Sequence, residues 1–171
     1  MNPPKLKSRR SLIRLLKKDR RRGRKIVFTN GCFDLLHPGH LRLLRFAKKQ
    51  GDLLVVGLNS DRSVRVLKGK SRPVQSQKDR AELLGGLEAV DYVTVFWEKT
   101  PQQLIYALRP DVLVKGADWK KKEVVGGSFV ASYGGRVLSF PTVQGKSTTS
   151  LIRKMGRRKQ HETVSNRLQT V

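Results

Sequence analysis

The 171-residue sequence has a single cysteine, Cys32, and no long apolar segment. One cysteine excludes an intramolecular disulfide framework and fits a reducing compartment. No apolar run reaches the roughly 18 residues that a membrane-spanning helix requires, and no apolar signal-peptide core follows the N-terminus. We therefore expect a cytoplasmic protein without a membrane span.

Acidic residues are also scarce: 13 Asp and Glu stand against 37 Lys and Arg, which gives a formal net charge of +24. Such an excess bears on association with polyanions and says nothing about the fold. Residues 1–25 hold twelve basic side chains and one acid, and residues 153–171 hold six and one. We predict a basic N-terminal segment over 1–25, one globular domain over 26–155, and a flexible basic tail over 156–171. The two ends could bind polyanions without specificity.

The N-terminal segment contains a predicted short helix. Ser11 is its predicted cap, and Leu12, Ile13, Leu15 and Leu16 fall near one helical face. We expect this helix to pack on the globular domain. A nucleic-acid or membrane-surface arm and a targeting peptide are the alternatives.

Segments typical of strands alternate with segments typical of helices. Strands are predicted at residues 25–30, 52–58, 90–96, 111–115 and 136–140. Helices are predicted at 38–50, 78–88, 100–108 with a Thr100 cap, and 121–132, whereas 62–77 is predicted to be a polar connection. The alternation predicts a single Rossmann-like α/β domain, with a five-stranded, mostly parallel sheet flanked by helices. Ligands of such sheets bind beyond the carboxyl ends of the strands.

The polar residues that follow the predicted strands are therefore the functional candidates. They are Asn30–His40, Asn59–Asp61, Lys115–Trp119 and Thr142–Thr149. In the first group, His37 and His40 flank Pro38-Gly39 at a predicted helix start, where free N–H groups and the helix dipole favour an anion. Loop histidines with local partners are one alternative. A metal site is another, although no Cys or carboxylate cluster completes a zinc set.

Ser147-Thr148-Thr149 follows Gly145-Lys146 and is a second candidate anion site. Simple capping of a last helix by Ser147 or Thr148 is the alternative. The sequence has no Walker loop, which disfavours P-loop hydrolysis, and no GxGxxG fingerprint follows a predicted strand. Cys32 has no histidine–carboxylate arrangement to activate it, so we expect a small buried residue there rather than a nucleophile.

Both motifs carry a family resemblance. Residues 29–40, TNGCFDLLHPGH, resemble the first motif of the cytidylyltransferase-like nucleotidyltransferases, whose core is HxGH, and Ser147-Thr148-Thr149 resembles their second motif. Within that superfamily, residues 11–154 resemble the D-glycero-β-D-manno-heptose 1-phosphate adenylyltransferases. The supporting stretches are residues 59–61, 67–69, 72–74, 80–91, 100–101 and 110–119. Larger members of this family also carry a sugar kinase domain. This chain is too short to hold one, so it resembles the stand-alone transferase.

The resemblance implies transfer of AMP from ATP to heptose 1-phosphate, giving pyrophosphate and ADP-heptose, a lipopolysaccharide core precursor. Mg²⁺ would arrive with ATP, with no metal ligand from the protein, and relatives are often homodimers. The implied catalytic residues are His37, His40, Ser147 and Thr148. The implied nucleotide-binding residues are Asn30, Gly31, Cys32, Phe33, Asp34, Lys115, Gly116, Asp118 and Thr149. The implied acceptor-binding residues are Asn59, Asp61, Lys68 and Arg72.

The sequence departs from the family before the second motif. Many relatives have R-T-E-G-x-S-T-T, whereas residues 142–146 are TVQGK, so the arginine is missing and Lys146 could replace it as a point charge. Two other functions stay open. One is a cytidylyltransferase acting on glycerol 3-phosphate or a related phospho-alcohol, and the other is a nucleic-acid-binding protein on a degenerate enzyme scaffold.

Overall fold

A computed structural model describes residues 5–116, 124–141, 148–149 and 151–152. It contains a five-stranded sheet, built from β1 Ile26–Gly31, β2 Leu53–Asn59, β3 Tyr92–Phe96, β4 Val112–Gly116 and β5 Arg136–Phe140. The helices are α1 Arg9–Arg21, α2 Pro38–Lys48, α3 Asp61–Lys68, α4 Gln77–Gly86, α5 Gln102–Leu108 and α6 Gly127–Ser132. Residues 148–149 and 151–152 are also helical.

The strands run in the order β3-β2-β1-β4-β5, and every neighbouring pair is parallel. The predicted α/β architecture is thus confirmed, with a fully parallel sheet. All seven residues of β2 are buried, as expected for a strand that helices cover on both faces. β2 and β3 lie on one side of β1, and β4 and β5 lie on the other side. This change of side opens a crevice at the carboxyl ends of β1 and β4.

Two apolar clusters cover the two faces of the sheet. One contains buried residues of α2 and α4, among them Leu44 and Leu84. The other contains buried residues of α1, α5 and α6, among them Leu16, Leu104 and Val130. The molecule is therefore a three-layer sandwich, with α2 and α1 on opposite sides of the sheet.

The N-terminal helix packs on the domain, as predicted, but its predicted cap is wrong. Ser8 caps α1, and its hydroxyl accepts a hydrogen bond from the Ser11 amide. Leu12 and Leu16 are fully buried, whereas Ile13 is exposed. The helix therefore starts one turn earlier than the apolar pattern indicated, because its first turn carries only arginine and serine.

Three other predicted elements differ from the structure. Residues 61–68 form α3, capped by the Ser60 hydroxyl, although their polar composition predicted a connection. Helix α5 begins at Gln102 behind Pro101 and has no side-chain cap, so Thr100 does not cap it. Helix α6 begins only at Gly127, because Gly126 takes a left-handed conformation (φ +79°); residues 121–123 of its predicted range lie outside the described residues.

Candidate active site

The carboxyl ends of β1 and β4 bring together residues that lie 85 positions apart in the sequence. Asn30 and Gly31 end β1, and Lys115 and Gly116 end β4. The Lys115 ammonium donates a hydrogen bond to the Asn30 side-chain carbonyl, with Nζ 2.5 Å from Oδ1. Four predicted nucleotide-binding residues therefore lie at the crevice beside β1.

Burial lowers the pKa of Lys115 to about 8. Removal of the ammonium from water disfavours the charged form, and the neutral Asn30 carbonyl compensates only in part. The ammonium therefore stays mostly charged at pH 7 and loses its proton as the pH rises through 8. A bound anion would stabilise the charged form, so this lysine suits a pocket that is filled by phosphate.

His37 caps α2 and is held in one tautomer. Its Nδ1 accepts a hydrogen bond from the Gly39 amide at 3.1 Å, and Pro38 occupies the first helical position, as predicted. Because Nδ1 accepts this bond, the proton of the neutral imidazole resides on Nε2. His37 therefore presents an N–H donor away from the helix, as phosphate binding requires.

His40 stacks on His37, with ring centroids 3.7 Å apart and an interplanar angle of 22°. The centroid of the buried Phe33 ring lies 5.0 Å from that of His40, with the two rings tilted by 56°. Burial lowers the pKa of His40 to about 4, the neighbouring His37 adds to this, and the Leu35 carbonyl opposes it. Burial also lowers the pKa of His37. Both imidazoles are therefore neutral hydrogen-bonding groups at pH 7.

We expect the His40 imidazole of the free protein to titrate in NMR spectra with a midpoint near pH 4, and His37 with a midpoint below 6.5. Both pKa values are lowered, so protonation occurs only as the pH falls below the ordinary histidine range. Spectra of His37→Asn and His40→Phe variants would assign the signals. A midpoint at or above 6.5 for His40 would contradict the stacked, buried arrangement.

Asp34 fixes the loop that joins β1 to α2. Its side chain is 2% exposed, and Oδ1 accepts hydrogen bonds from the amides of Val74 and Gln75, at 2.7 and 3.1 Å. Arg72 Nε lies 2.8 Å from Oδ2, an ion pair without hydrogen-bond alignment. Asp34 thus orients its loop, and Arg72, predicted to bind the acceptor, also holds this carboxylate.

Cys32 precedes Asp34 in the same loop and is only half-buried, so the expectation of a buried residue there is wrong. Burial raises the pKa of its thiol, and the opposing effect of Lys68 and of Arg80 is smaller. The thiol therefore stays protonated near neutral pH, which disfavours a nucleophilic role. Lys68, exposed at the end of α3, lies near enough to act on this thiol.

Arg80 is the main site-shaping residue that the sequence analysis did not single out. It is fully buried, and its guanidinium donates to the carbonyls of Cys32 (2.5 Å), Asn59 (2.9 Å) and Gln75 (3.1 Å). It also pairs with the Asp61 carboxylate at 2.7 Å. One side chain therefore joins the carboxyl ends of β1 and β2 to α3 and α4.

The two remaining predicted acceptor residues are partly engaged within the protein. Asn59 is 4% exposed and donates through Nδ2 to the Ser63 hydroxyl at 2.9 Å. Asp61 is bound to Arg80, with 25% of its side chain exposed. A substrate role for either residue stays a prediction, with Asp61 the more accessible of the two.

The described part of the second motif lies against the first. The Thr148 hydroxyl donates to the Leu35 carbonyl at 3.3 Å, and Thr149 is exposed. Thr148 is already helical, so it does not cap this helix. Ser147, Asp118 and residues 142–146 lie outside the described residues. The two motifs, 113 residues apart at the Leu35–Thr148 contact, thus meet at one edge of the sheet.

Among the residues that the structure describes, no group of three or more His, Cys, Asp and Glu could hold a metal ion. In the same part of the chain, no helix has the length and apolar character that a bilayer span needs.

Comparisons with known proteins agree with this geometry. The family pattern described as cytidylyltransferase-like matches residues 28–154. The Bifunctional protein HldE of Syntrophotalea carbinolica is 54% identical over 151 residues, which cover 88% of this chain and 31% of that protein. HldE of Wolinella succinogenes is 56% identical over 148 residues, or 86% and 30% of the two chains. This chain thus spans about a third of the length of these curated relatives.

Solved structures show the same fold. The lipopolysaccharide core biosynthesis protein from Thermoplasma volcanium superposes with a TM-score of 0.61 and 29% identity, over 71% of this chain and all of that one. Pantoate-beta-alanine ligase from Francisella tularensis, with a TM-score of 0.54 and 17% identity over 77% of this chain and 66% of its own, shares the fold. Since the family pattern spans well over half of the sequence and includes both motifs, the chain belongs to the cytidylyltransferase-like family.

Proposed function

We propose that this chain transfers the AMP moiety of ATP to D-glycero-β-D-manno-heptose 1-phosphate. The observation that carries the proposal is that Lys115 contacts Asn30 at the end of β1. Thr148 contacts Leu35 in the loop that leads from β1 to the stacked His37–His40 pair. The identity to the HldE proteins and the likeness to a lipopolysaccharide core biosynthesis protein favour the heptose acceptor over other phosphorylated alcohols.

The proposed reaction is an in-line displacement. A phosphate oxygen of the sugar 1-phosphate attacks the α-phosphorus of ATP, the new P–O bond forms, and the bond between the α-phosphorus and the bridging oxygen breaks. Pyrophosphate leaves with that oxygen and its electron pair. No covalent enzyme intermediate is needed, so catalysis rests on positioning and on stabilisation of phosphate charge.

The chemistry of each side chain determines its proposed role in positioning the substrates and stabilising phosphate charge. His37 Nε2–H donates to phosphate oxygens as charge develops, and His40 supports the same group from the stack. Lys115 places a cation at the crevice, and Asn30, Gly31, Cys32 and Phe33 line the nucleotide with their backbones. Ser147, Thr148 and Thr149 hold the leaving phosphates, while Lys68, Arg72 and Asp61 face the acceptor. Mg²⁺ would enter with ATP and neutralise phosphate charge.

A substrate panel tests the proposal. ATP or CTP is incubated with heptose 1-phosphate, glycerol 3-phosphate or ethanolamine phosphate, and pyrophosphate release is measured. We expect release with ATP and heptose 1-phosphate only, because pocket hydrogen bonds that one substrate satisfies are left unpaired by another. Release with CTP and glycerol 3-phosphate, without release from the first pair, would assign the site to the phospho-alcohol cytidylyltransferases instead. The predicted cytoplasmic location and homodimer are not needed for this test and stay predictions.

A further inference from the structure

The outer face of α1 carries a straight row of cations. At 100° per residue, Arg10, Arg14, Lys17, Lys18 and Arg21 fall within an arc of about 100°. This arc lies opposite the buried Leu12 and Leu16. All five side chains are exposed. With a rise of 1.5 Å per residue, the row from Arg10 to Arg21 is about 16 Å long. We call these five residues the α1 basic row.

The described residues do not neutralise the basic row. Within the described ranges, none of its five cations forms an ion pair with a carboxylate. The only acid of α1, Asp19, is buried and pairs with Arg24 at 3.4 Å. Five like charges on successive turns repel one another. The row would thus be stabilised by a partner that carries negative charges along a line.

The row also lies away from the candidate active site. Helix α1 packs with α5 and α6 on one face of the sheet, whereas α2, with His37 and His40, lies on the other. Arg9 pairs with Glu98, just after the carboxyl end of β3, and Arg20 donates to the Leu108 and Arg109 carbonyls at the end of α5. These contacts fix α1 to the domain and leave the row facing solvent.

We propose that the α1 basic row binds the phosphate backbone of double-stranded nucleic acid without reading its sequence. Phosphates recur at regular intervals along each strand of a duplex, and a row of about 16 Å is long enough to face several of them. Arginine, three of the five cations, binds phosphate through a planar fork. Because the inner half of α1 is embedded in the domain, the helix lies along the backbone and does not enter a groove.

An anionic lipid surface fits the row less well. Stable attachment of an amphipathic helix to a bilayer needs its apolar face as well as its cations. The apolar face of α1 is already used, since Leu12 and Leu16 are 0% exposed. The surface that remains exposed is a line of cations, and its charge is complementary to a strand of phosphates.

The test measures binding of the full chain to a fluorescent duplex of about 20 base pairs over a range of salt concentrations. The row variant carries Arg10→Gln, Arg14→Gln, Lys17→Gln and Arg21→Gln. The matched control carries Arg45→Gln, Lys49→Gln, Lys78→Gln and Lys99→Gln, all exposed and all outside α1. Both variants lower the net charge from +24 to +20. A third variant, with Arg10→Lys, Arg14→Lys and Arg21→Lys, keeps the charge of the row.

We expect the row variant to bind at least about tenfold more weakly near 0.1 M salt. The slope of log K against log salt should fall by about 0.9 for each phosphate contact that is lost. The control and the lysine variant should keep nearly the wild-type slope. All variants should retain the wild-type melting temperature and pyrophosphate release. Equal weakening in row and control variants would assign binding to net charge and overturn the proposal. So would a row variant that loses affinity for phosphatidylserine vesicles but not for the duplex.

Discussion

Replacement of His37 or His40 by alanine should lower kcat by at least about 100-fold, the usual cost of one lost donor to developing charge. His37 Nδ1 is occupied by the Gly39 amide, which leaves Nε2–H as the only donor that the neutral ring can offer to a phosphate. His40 holds that ring in place through the 3.7 Å stack. The substrates' KM values should change less than kcat, since the bond to His37 strengthens as charge develops.

Two further variants separate catalysis from stability at this pair. His37→Asn restores a side-chain acceptor at the helix cap and should regain most of the roughly 1 kcal/mol that His37→Ala loses. It still lacks the Nε2 donor, so its kcat should stay low. His40→Phe keeps an aromatic ring in contact with Phe33 and His37 and removes both nitrogens. Steady-state kinetics and urea unfolding are measured together, and wild-type turnover in His37→Asn would remove the catalytic assignment.

Replacement of Arg80 by methionine should lower the free energy of unfolding by about 3–5 kcal/mol, the range for breaking a buried, hydrogen-bonded ion pair. The guanidinium is 0% exposed, and its loss would leave the carbonyls of Cys32 and Asn59 and the Asp61 carboxylate without their donor. Methionine is similar in length, so the packing volume changes little, and the effect reports the lost polar contacts.

Urea unfolding measures this effect, and Arg45→Met is the matched control. Arg45 is exposed on α2 and should change the free energy of unfolding by no more than about 0.5 kcal/mol. Arg80→Met should also lower kcat, because Cys32 belongs to the loop that leads to His37. A loss below 1 kcal/mol would mean that Arg80 does not join the strand ends as the structure indicates.

The sheet could be predicted because each strand is recognisable from its own short stretch of sequence. Buried parallel strands are nearly continuous apolar runs, and β1, β2 and β4 have this pattern with polar residues directly after them. The HxGH segment could be predicted equally well, because its histidines are close in sequence and Pro38 marks the helix start. Helix α3 was missed because only Ser63 and Val64 of its eight residues are buried, which is too few for an apolar period.

The contacts that shape the site could not be predicted in the same way. Arg80 reaches Cys32 across 48 positions, and Asp34 reaches Val74 across 40. Arg80 does not differ in the sequence from an ordinary exposed charge, and Asp34 is indicated only by the family motif. The burial of both depends on how the loops pack. The low pKa of His40 likewise comes from burial and from the neighbouring ring of His37. The spacing of residues in the sequence does not predict either effect.

The most direct test of the central claim is to run the ATP and heptose 1-phosphate reaction with ATP labelled with ³²P at the α-phosphorus. The proposed attack predicts that the label appears in ADP-heptose and that the released pyrophosphate is unlabelled. Both products should form at least about 100-fold more slowly with the His37→Asn variant. Recovery of the label in free ADP, with the γ-phosphate on the sugar, would show phosphoryl transfer instead. That result would contradict the assignment of this site as a nucleotidyltransferase.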